Sequence, residues 1–414
     1  MSDQVLINLF TQMAATMKKN KSLIRMWVEL FFAIWIIICV AAPAAFAKTS
    51  QPNATPAPVL KGAPGESGAG GRTCVTFINP GISDTNNPTG TFWLSVSAFM
   101  QAAADDLGVD LEIIYSERNH LLMQRQAQDV AARLKPPDYV IVVNEKLAAD
   151  EMVKVLDKAG IKVFVLLNTF FGDQATAMGK PREKYPSWLG SLIPDNQTAG
   201  FTIAKRVIDK AMQAGLYGKD GKIHLIAIAG DYATPASNAR NVGLQVAVNE
   251  SAKVKLEQMF VGEWNKDKAK YQAQGALMRY PEVSAVWVAN DPMALGAIEA
   301  VNEAGRKPGK DIMIGGLNWD APALGHVQDG SMATSVGGHF MTGAWALVLL
   351  YDYHHGKDFA AGGTQLQYPI FSALDRENVT KYLDQFGKSD WGKVDFTRFS
   401  KVLNIVDPSF QTAV

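Results

Sequence analysis

The side chains in this sequence best suited to chemistry sit just beyond short apolar runs. Asn290 and Asp291 follow the run 285–289, and Asn318, Trp319 and Asp320 follow 312–317. Asp84 ends the polar stretch Asn79-Pro80-Gly81-Ile82-Ser83-Asp84 behind the run 74–79, and Phe92-Trp93 opens the helical pattern after it. Asn168 follows 163–167, Arg240 lies near the start of a helical pattern behind Ala233-Thr234-Pro235, and His339 follows Gly337-Gly338. These residue types recognise rather than react. Aromatic faces stack on the C–H faces of pyranose or furanose rings, while amides and a guanidinium fork hydrogen-bond hydroxyls. Each has a plainer alternative: Phe92 and Trp93 as two core rings, Arg240 as a solvated helix arginine, the strand-end polar groups as helix caps, His339 as a cap or packed residue.

Reactive constellations are missing from the sequence. It contains no G-x-S-x-G, no H-E-x-x-H, no phosphate-binding loop and no dinucleotide fingerprint. The glycine-rich 68–71 precedes any strand pattern, and His354-His355 reads as a surface pair. Nothing here argues for an enzyme, a cofactor or a metal site. Lysine plus arginine (40) balance aspartate plus glutamate (40), so the chain lacks the electrostatic footprint of a nucleic-acid or anionic-membrane binder.

Strand-type runs at 74–79, 111–115, 139–143 and 163–167 alternate with helical patterns at 92–107, 120–134 and 148–159. A stretch with little periodicity, 168–190, comes next. Helices at 198–214, 236–249, 268–279 and 291–305 then alternate with strands at 223–228, 256–260, 285–289 and 312–317, and 339–354 is a last helix. Alternation of this kind predicts the α/β class. At 414 residues the chain is too long for one compact domain, which gives two doubly wound parallel-sheet lobes. It also sets the candidate residues at the carboxyl ends of strands, the edge where open α/β sheets bind ligands. Beyond Phe371 the chain is more polar, with Trp391, Phe396 and Phe399 expected to wrap back onto the lobes.

At the N-terminus, Lys18, Lys19, Lys21 and Arg25 precede the apolar block 27–47, which closes on Ala45-Phe46-Ala47. That order reads as an export signal with the mature chain beginning at Lys48. Met17 is a second candidate start. A retained anchor is the alternative, against which Glu29 and the cleavage site argue. Ile38 is too large for a lipoprotein site at Cys39. Cys74 is then the sole cysteine of the mature chain, so no intrachain disulfide forms. Residues 48–71, rich in Pro, Gly, Ala and Ser, read as a flexible leader.

The stretch Asn290-Asp291-Pro292-Met293-Ala294-Leu295-Gly296 resembles the signature of the type I periplasmic binding proteins that serve sugar ABC transporters. Asn86-Asn87-Pro88 ahead of Phe92-Trp93, Asp195-Asn196 before a helix, and Arg240 three residues before Gly243 extend the likeness over most of 72–375. The resemblance implies two lobes joined by a three-strand hinge: 72–194 plus 339–367, and 195–338 plus 368–385, with 386–414 as an appendage. It implies that Phe92 and Trp93 sandwich a ligand that Asn168, Arg240, Asn290 and Asn318 hydrogen-bond. Asp84, Asp291, Trp319 and His339 complete the candidate set. It further implies a monomer in the periplasm that closes on a sugar-like small molecule and delivers it to a membrane ABC permease, with no role for nucleic acid. Two departures stand out. The ribose-type pattern has Asp-Arg where this chain has Asn168-Thr169, and an aspartate where it has Asn318. Amides in place of carboxylates make the pocket less anionic. Asn168 with the long stretch behind it is similar instead to periplasmic autoinducer receptors, whose partner is a membrane sensor kinase. A sugar-responsive transcription regulator would need a helix-turn-helix where the signal and leader stand.

Overall fold

Runs of apolar residues too dense to alternate must be covered on both faces, and in the computed structural model they form the centres of two sheets. The structure describes residues 72–404; the expected signal, cleavage site and leader lie outside the described residues. The first sheet holds β1 Cys74–Asn79, β2 Asp110–Tyr115, β3 Tyr139–Val142, β4 Lys162–Leu166, β5 Trp188–Pro194 and, from far along the chain, β11 Gln365–Tyr368. Its order is β11-β5-β4-β3-β1-β2. The second holds β6 Ile223–Ala229, β7 Val254–Val261, β8 Val283–Val288, β9 Met313–Leu317, β10 Thr334–Gly337 and β12 Ser372–Leu374, in the order β12-β10-β9-β8-β6-β7. Every residue of β3, β6 and β8 is buried, as strands covered on both faces require. All neighbours pair in parallel except β12, an antiparallel edge on β10 that the expected all-parallel sheets did not include.

The helices are α1 Phe92–Leu107, α2 His120–Ala131, α3 Ala149–Lys158, α4 Gly172–Met178, α5 Asn196–Gln213, α6 Pro235–Asn249, α7 Lys266–Arg279, α8 Asp291–Glu303, α9 Ala321–Asp329, α10 Thr342–His354 and α11 Val379–Phe386. The chain passes between the sheets after β5, after β10 and between β11 and β12. In the first sheet β1 lies between β2 and β3, and in the second β6 lies between β7 and β8. The winding direction reverses at β1 and β6, which opens a crevice at their carboxyl ends.

Local pattern missed several elements, each for a packing reason. The stretch 168–190 contains α4 and the start of β5. Gly190 and Ser191 break the apolar run of β5 because a Cβ on Gly190 would lie 2.6 Å from the Thr364 carbonyl oxygen. The polar strand β10 is satisfied from within: Thr334 Oγ1 donates to the Leu374 carbonyl at 2.9 Å. On the helical layer of the second lobe, Gly200 of α5 and Gly243 of α6 face each other's backbone. A Cβ on Gly243 would collide with the Gln197 carbonyl, and one on Gly200 with that of Arg240.

The described part of the tail packs back onto the lobes and enters their cores. Val379 of α11 is buried in the second lobe. Trp391 and Phe396 are buried in the first, each with its ring centroid 5.1 Å from that of Phe99 on α1. The Asp352 carboxylate of α10 accepts from Ser400 Oγ at 2.5 Å and from the Lys401 N–H at 2.8 Å. Phe396→Ala therefore empties a fully buried site and is expected to cost about 3 kcal/mol. Thermal unfolding checks this, and a midpoint unchanged from the parent would place Phe396 outside the core. Among the described residues no helix is long and apolar enough to cross a membrane.

Candidate ligand-binding site

The carboxyl ends of the two sheets meet across a cavity of about 570 Å³, open solvent at its mouth included. The first lobe contributes Thr89, Phe92 and Trp93 around the start of α1, Arg118 behind β2, Glu145 behind β3, Leu167 and Asn168 behind β4, and Pro194 at the end of β5. The second contributes Asn196 of α5, Thr234, Ala236 and Arg240 around the start of α6, Trp264 behind β7, Asn290 behind β8 and Asn318 behind β9, and His339 stands where the chain crosses back to the first lobe after β10. The fold thus gathers Phe92, Trp93, Asn168, Arg240, Asn290, Asn318 and His339 from the candidate set. Four of the wall residues, Arg118, Leu167, Trp264 and Asn318, hold φ at +59°, +64°, +61° and +149°. Backbone strain of about 1–3 kcal/mol per residue concentrates at functional walls of this kind.

Three candidates lie elsewhere. Asp84 is exposed, and its Oδ1 accepts the Asn86 N–H at 2.8 Å, shaping the loop before α1. Asp291 is fully buried and accepts from the Asp320 N–H at 3.0 Å and from Ser335 Oγ at 2.8 Å, so it ties the ends of β8, β9 and β10 together. Trp319 donates Nε1–H to the Ser335 carbonyl at 3.1 Å and packs on Tyr382, centroids 4.7 Å apart. The Asn-Asp signature therefore divides its labour. Asn290 lines the cavity and caps α8 by accepting the Met293 N–H at 3.1 Å, while Asp291 is structural.

The aromatic arrangement also differs from the expectation. Phe92 and Trp93 meet edge to face, 72° between planes, and form a corner that cannot hold one flat ring between parallel faces. Phe92 stacks instead on His339, centroids 4.3 Å apart and 18° between planes. The aromatic face from the other lobe is Trp264, which the sequence reading passed over although it follows a strand as the others do. Its Nε1–H donates to Asp231 Oδ2 at 2.7 Å. Asp231 also accepts from the N–H groups of Ala233 and Thr234 and from Thr234 Oγ1, at 2.8, 2.7 and 2.9 Å, so the indole is anchored to the turn that starts α6.

Arg240 is 4 % exposed. Its Nε–H donates to Asn196 Oδ1 at 2.9 Å and its Nη1–H to the Ala289 carbonyl at 2.8 Å, with the guanidinium carbon 5.7 Å from the Trp264 ring. Burial draws its pKa down to about 9, against the opposing pull of Asp291. Burial, and then the Arg240 charge, hold His339 well below the usual histidine range, so its imidazole is neutral. On the first lobe Arg118 Nη2 pairs with Glu145 Oε1 at 2.6 Å. Burial raises the Glu145 carboxyl and Arg118 pulls it back. Neither member was a candidate, because nothing near Arg118 or Glu145 in the sequence shows that the two meet, 27 residues apart, in the fold.

The lobes touch across the seam. Asn168 Oδ1 accepts the Ala236 N–H at 2.9 Å, and the Pro88 carbonyl accepts the Lys266 N–H at 2.9 Å. Asp320 lies at the same seam, where Thr91 of the first lobe hydrogen-bonds it. Burial pushes its carboxyl up to about 6, and burial together with the Asp320 charge holds Asp291 well above the usual range. A carboxyl raised in the folded state contributes stability that is present below its unfolded value and lost as pH rises through the folded one. Asp320 is thus expected to cost stability as pH rises from about 4 to about 6, on the order of 2 kcal/mol. Melting curves of the parent and Asp320→Asn at both ends of that window check it; parallel pH dependence in the two would remove Asp320 as its source.

A group able to hold a metal among the described residues is Asp220, His224 and Glu282. It sits at the start of β6, the edge opposite the cavity. His224 there is already hydrogen-bonded on both nitrogens, to Asp220 at 2.9 Å and Glu257 at 2.6 Å, and these bonds raise its pKa against burial.

Two α/β lobes with a cavity between their strand ends define a bilobal, cleft-closing binding protein. The chain belongs to the periplasmic binding protein domain family, whose model matches residues 85–358. It is similar to a solved periplasmic sugar-binding protein from Pseudomonas fluorescens, 39 % identical, with 79 % of this chain and 94 % of that one covered and a TM-score of 0.70. It is also similar to two Escherichia coli proteins: the ribose import binding protein, 26 % identical over 62 % of this chain and 76 % of the relative, and the D-allose-binding periplasmic protein, 26 % identical over 56 % and 70 %. These relatives are binding proteins, and this chain is a binding protein rather than an enzyme.

Proposed function

We propose that this protein is a periplasmic solute-binding protein that captures a small polyhydroxylated, sugar-like ligand between its lobes and delivers it to a membrane ABC permease. The observation that carries this is the composition of the cavity. Aromatic faces from both lobes (Phe92, Trp93 and Trp264) stand with amides and a guanidinium (Asn168, Asn290, Asn318 and Arg240). Stacking surface plus fixed hydrogen-bonding groups is the complement of a polyol ring. A ligand touching both walls favours the closed arrangement, in which the Asn168–Ala236 and Pro88–Lys266 bonds form, by its differential affinity for that state. Amides left unpaired by a wrong isomer provide selectivity. The mature chain begins at Lys48, works as a monomer in the periplasm and hinges between 72–194 plus 339–367 and 195–338 plus 368–385. Curated relatives named for ribose import and allose binding support delivery to a permease over presentation to a sensor kinase.

Thermal unfolding of the exported chain against sugars and polyols tests the reading. A ligand bound only by the folded form adds about 2.7 kcal/mol of stability at a hundredfold excess over its dissociation constant. A raised midpoint with one member of the panel is the expected result. A flat panel alongside a clear shift with amino acids or peptides would reject it.

A further inference from the structure

Among the described residues, the groups left over on the cavity wall lean toward donors, although Asn318, whose NH2 donates to Asp320 Oδ2 at 3.4 Å, keeps its Oδ1 as an acceptor and His339 Nδ1 has no partner. The amide orientations are forced by N–H donors: Asn168 Oδ1 accepts from Ala236, Asn290 Oδ1 from Met293 and Asn196 Oδ1 from Arg240 Nε. Among the described residues the NH2 groups of Asn168 and Asn290 have no acceptor, nor does Arg240 Nη2, and all three residues line the cavity. The carboxylates nearby are committed. Glu145 is paired with Arg118. Asp231 accepts four hydrogen bonds, and Asp291 is held by Ser335 and the Asp320 N–H. Arg240 is thus a buried cation with an open N–H fork and no carboxylate hydrogen-bonded to it, an arrangement that is costly until an anion arrives.

We infer that the ligand is an acidic sugar, an aldonate or uronate whose carboxylate is taken by Arg240 Nη2 and the Asn290 NH2, with its hydroxyls left to the amides and the aromatic corner. Arg240 bonds the carbonyl of Ala289, the residue before Asn290, and both Arg240 and Asn290 line the cavity. One buried cation that no carboxylate hydrogen-bonds, with Asp291 acting on it only through space, matches a single negative charge, which favours a carboxylate over a phosphate ester. This rests on the solute-binding reading and narrows it.

Calorimetric titration of the exported chain with matched pairs tests it: galactose and galacturonate, glucose and gluconate, ribose and ribonate, with a phosphate ester of each sugar alongside. The acid of at least one pair is expected to bind roughly tenfold or more tighter than its neutral partner, the size of one charge-assisted hydrogen bond. In Arg240→Gln that ratio is expected to fall to about threefold or less, and if this variant does not fold the parent's ratio decides alone. Neutral sugars binding as tightly as their acids, or phosphate esters binding best, would overturn the acidic-sugar inference and leave the solute-binding reading standing. Binding by no member of any pair counts against both.

Discussion

Arg240→Ala is expected to weaken ligand binding by about a hundredfold or more while moving the melting midpoint of the unliganded protein by only about 3 °C or less. The two halves follow from the same environment. Toward the ligand, the side chain offers a charge-assisted donor in a site shielded from water, where losing it costs about 1.5–3 kcal/mol and strands whatever acceptor it met. Within the unliganded protein, truncation loses the bonds to Asn196 and the Ala289 carbonyl, but it also removes a buried charge that no carboxylate pairs. These terms oppose each other. Calorimetry with the ligand found by the panel, and unfolding without it, separate them. An affinity within threefold of the parent would remove Arg240 from the binding set. A fall of more than about 10 °C in the unliganded midpoint would make it a structural residue.

Gly243→Val carries the largest expected effect on folding, about 4 kcal/mol or more. Overpacking normally costs less because neighbouring side chains rotate away. Here the obstacle is the Gln197 carbonyl and the Phe201 N–H of α5, and backbone inside a helix cannot rotate away without breaking its own hydrogen bonds. The two helices must separate. That shift also disturbs Asn196 and Arg240, which sit on the same pair and bond each other at 2.9 Å, so affinity falls with stability. Val246→Ala, at a position 40 % exposed on α6, serves as the control and is expected to stay within about 0.5 kcal/mol of the parent. A Gly243→Val protein that melts with the parent would mean the helices do not touch there.

What the sequence determined by itself was whatever a residue and its near neighbours decide. Runs such as 285–289 are apolar throughout because both faces are covered, which made the α/β class and the central strands legible. Asn168, Arg240, Asn290, Asn318, Phe92 and Trp93 could be placed at strand ends and helix starts, and strand ends are where the cavity lies. The family likeness rested on the same local stretches. Tertiary structure decided the rest, because the deciding neighbours are remote in the chain. β5 and β10 are small or polar where Thr364, Leu374 and Asp291 press on or satisfy them. Asp291 and Asn290 look alike on paper, yet one faces Ser335 and the other the cavity. Arg118 and Glu145 are ordinary surface charges until two strand ends bury them together. A cavity wall is assembled from the ends of many strands, and its inventory of free donors and committed acceptors exists only once those ends have been brought together.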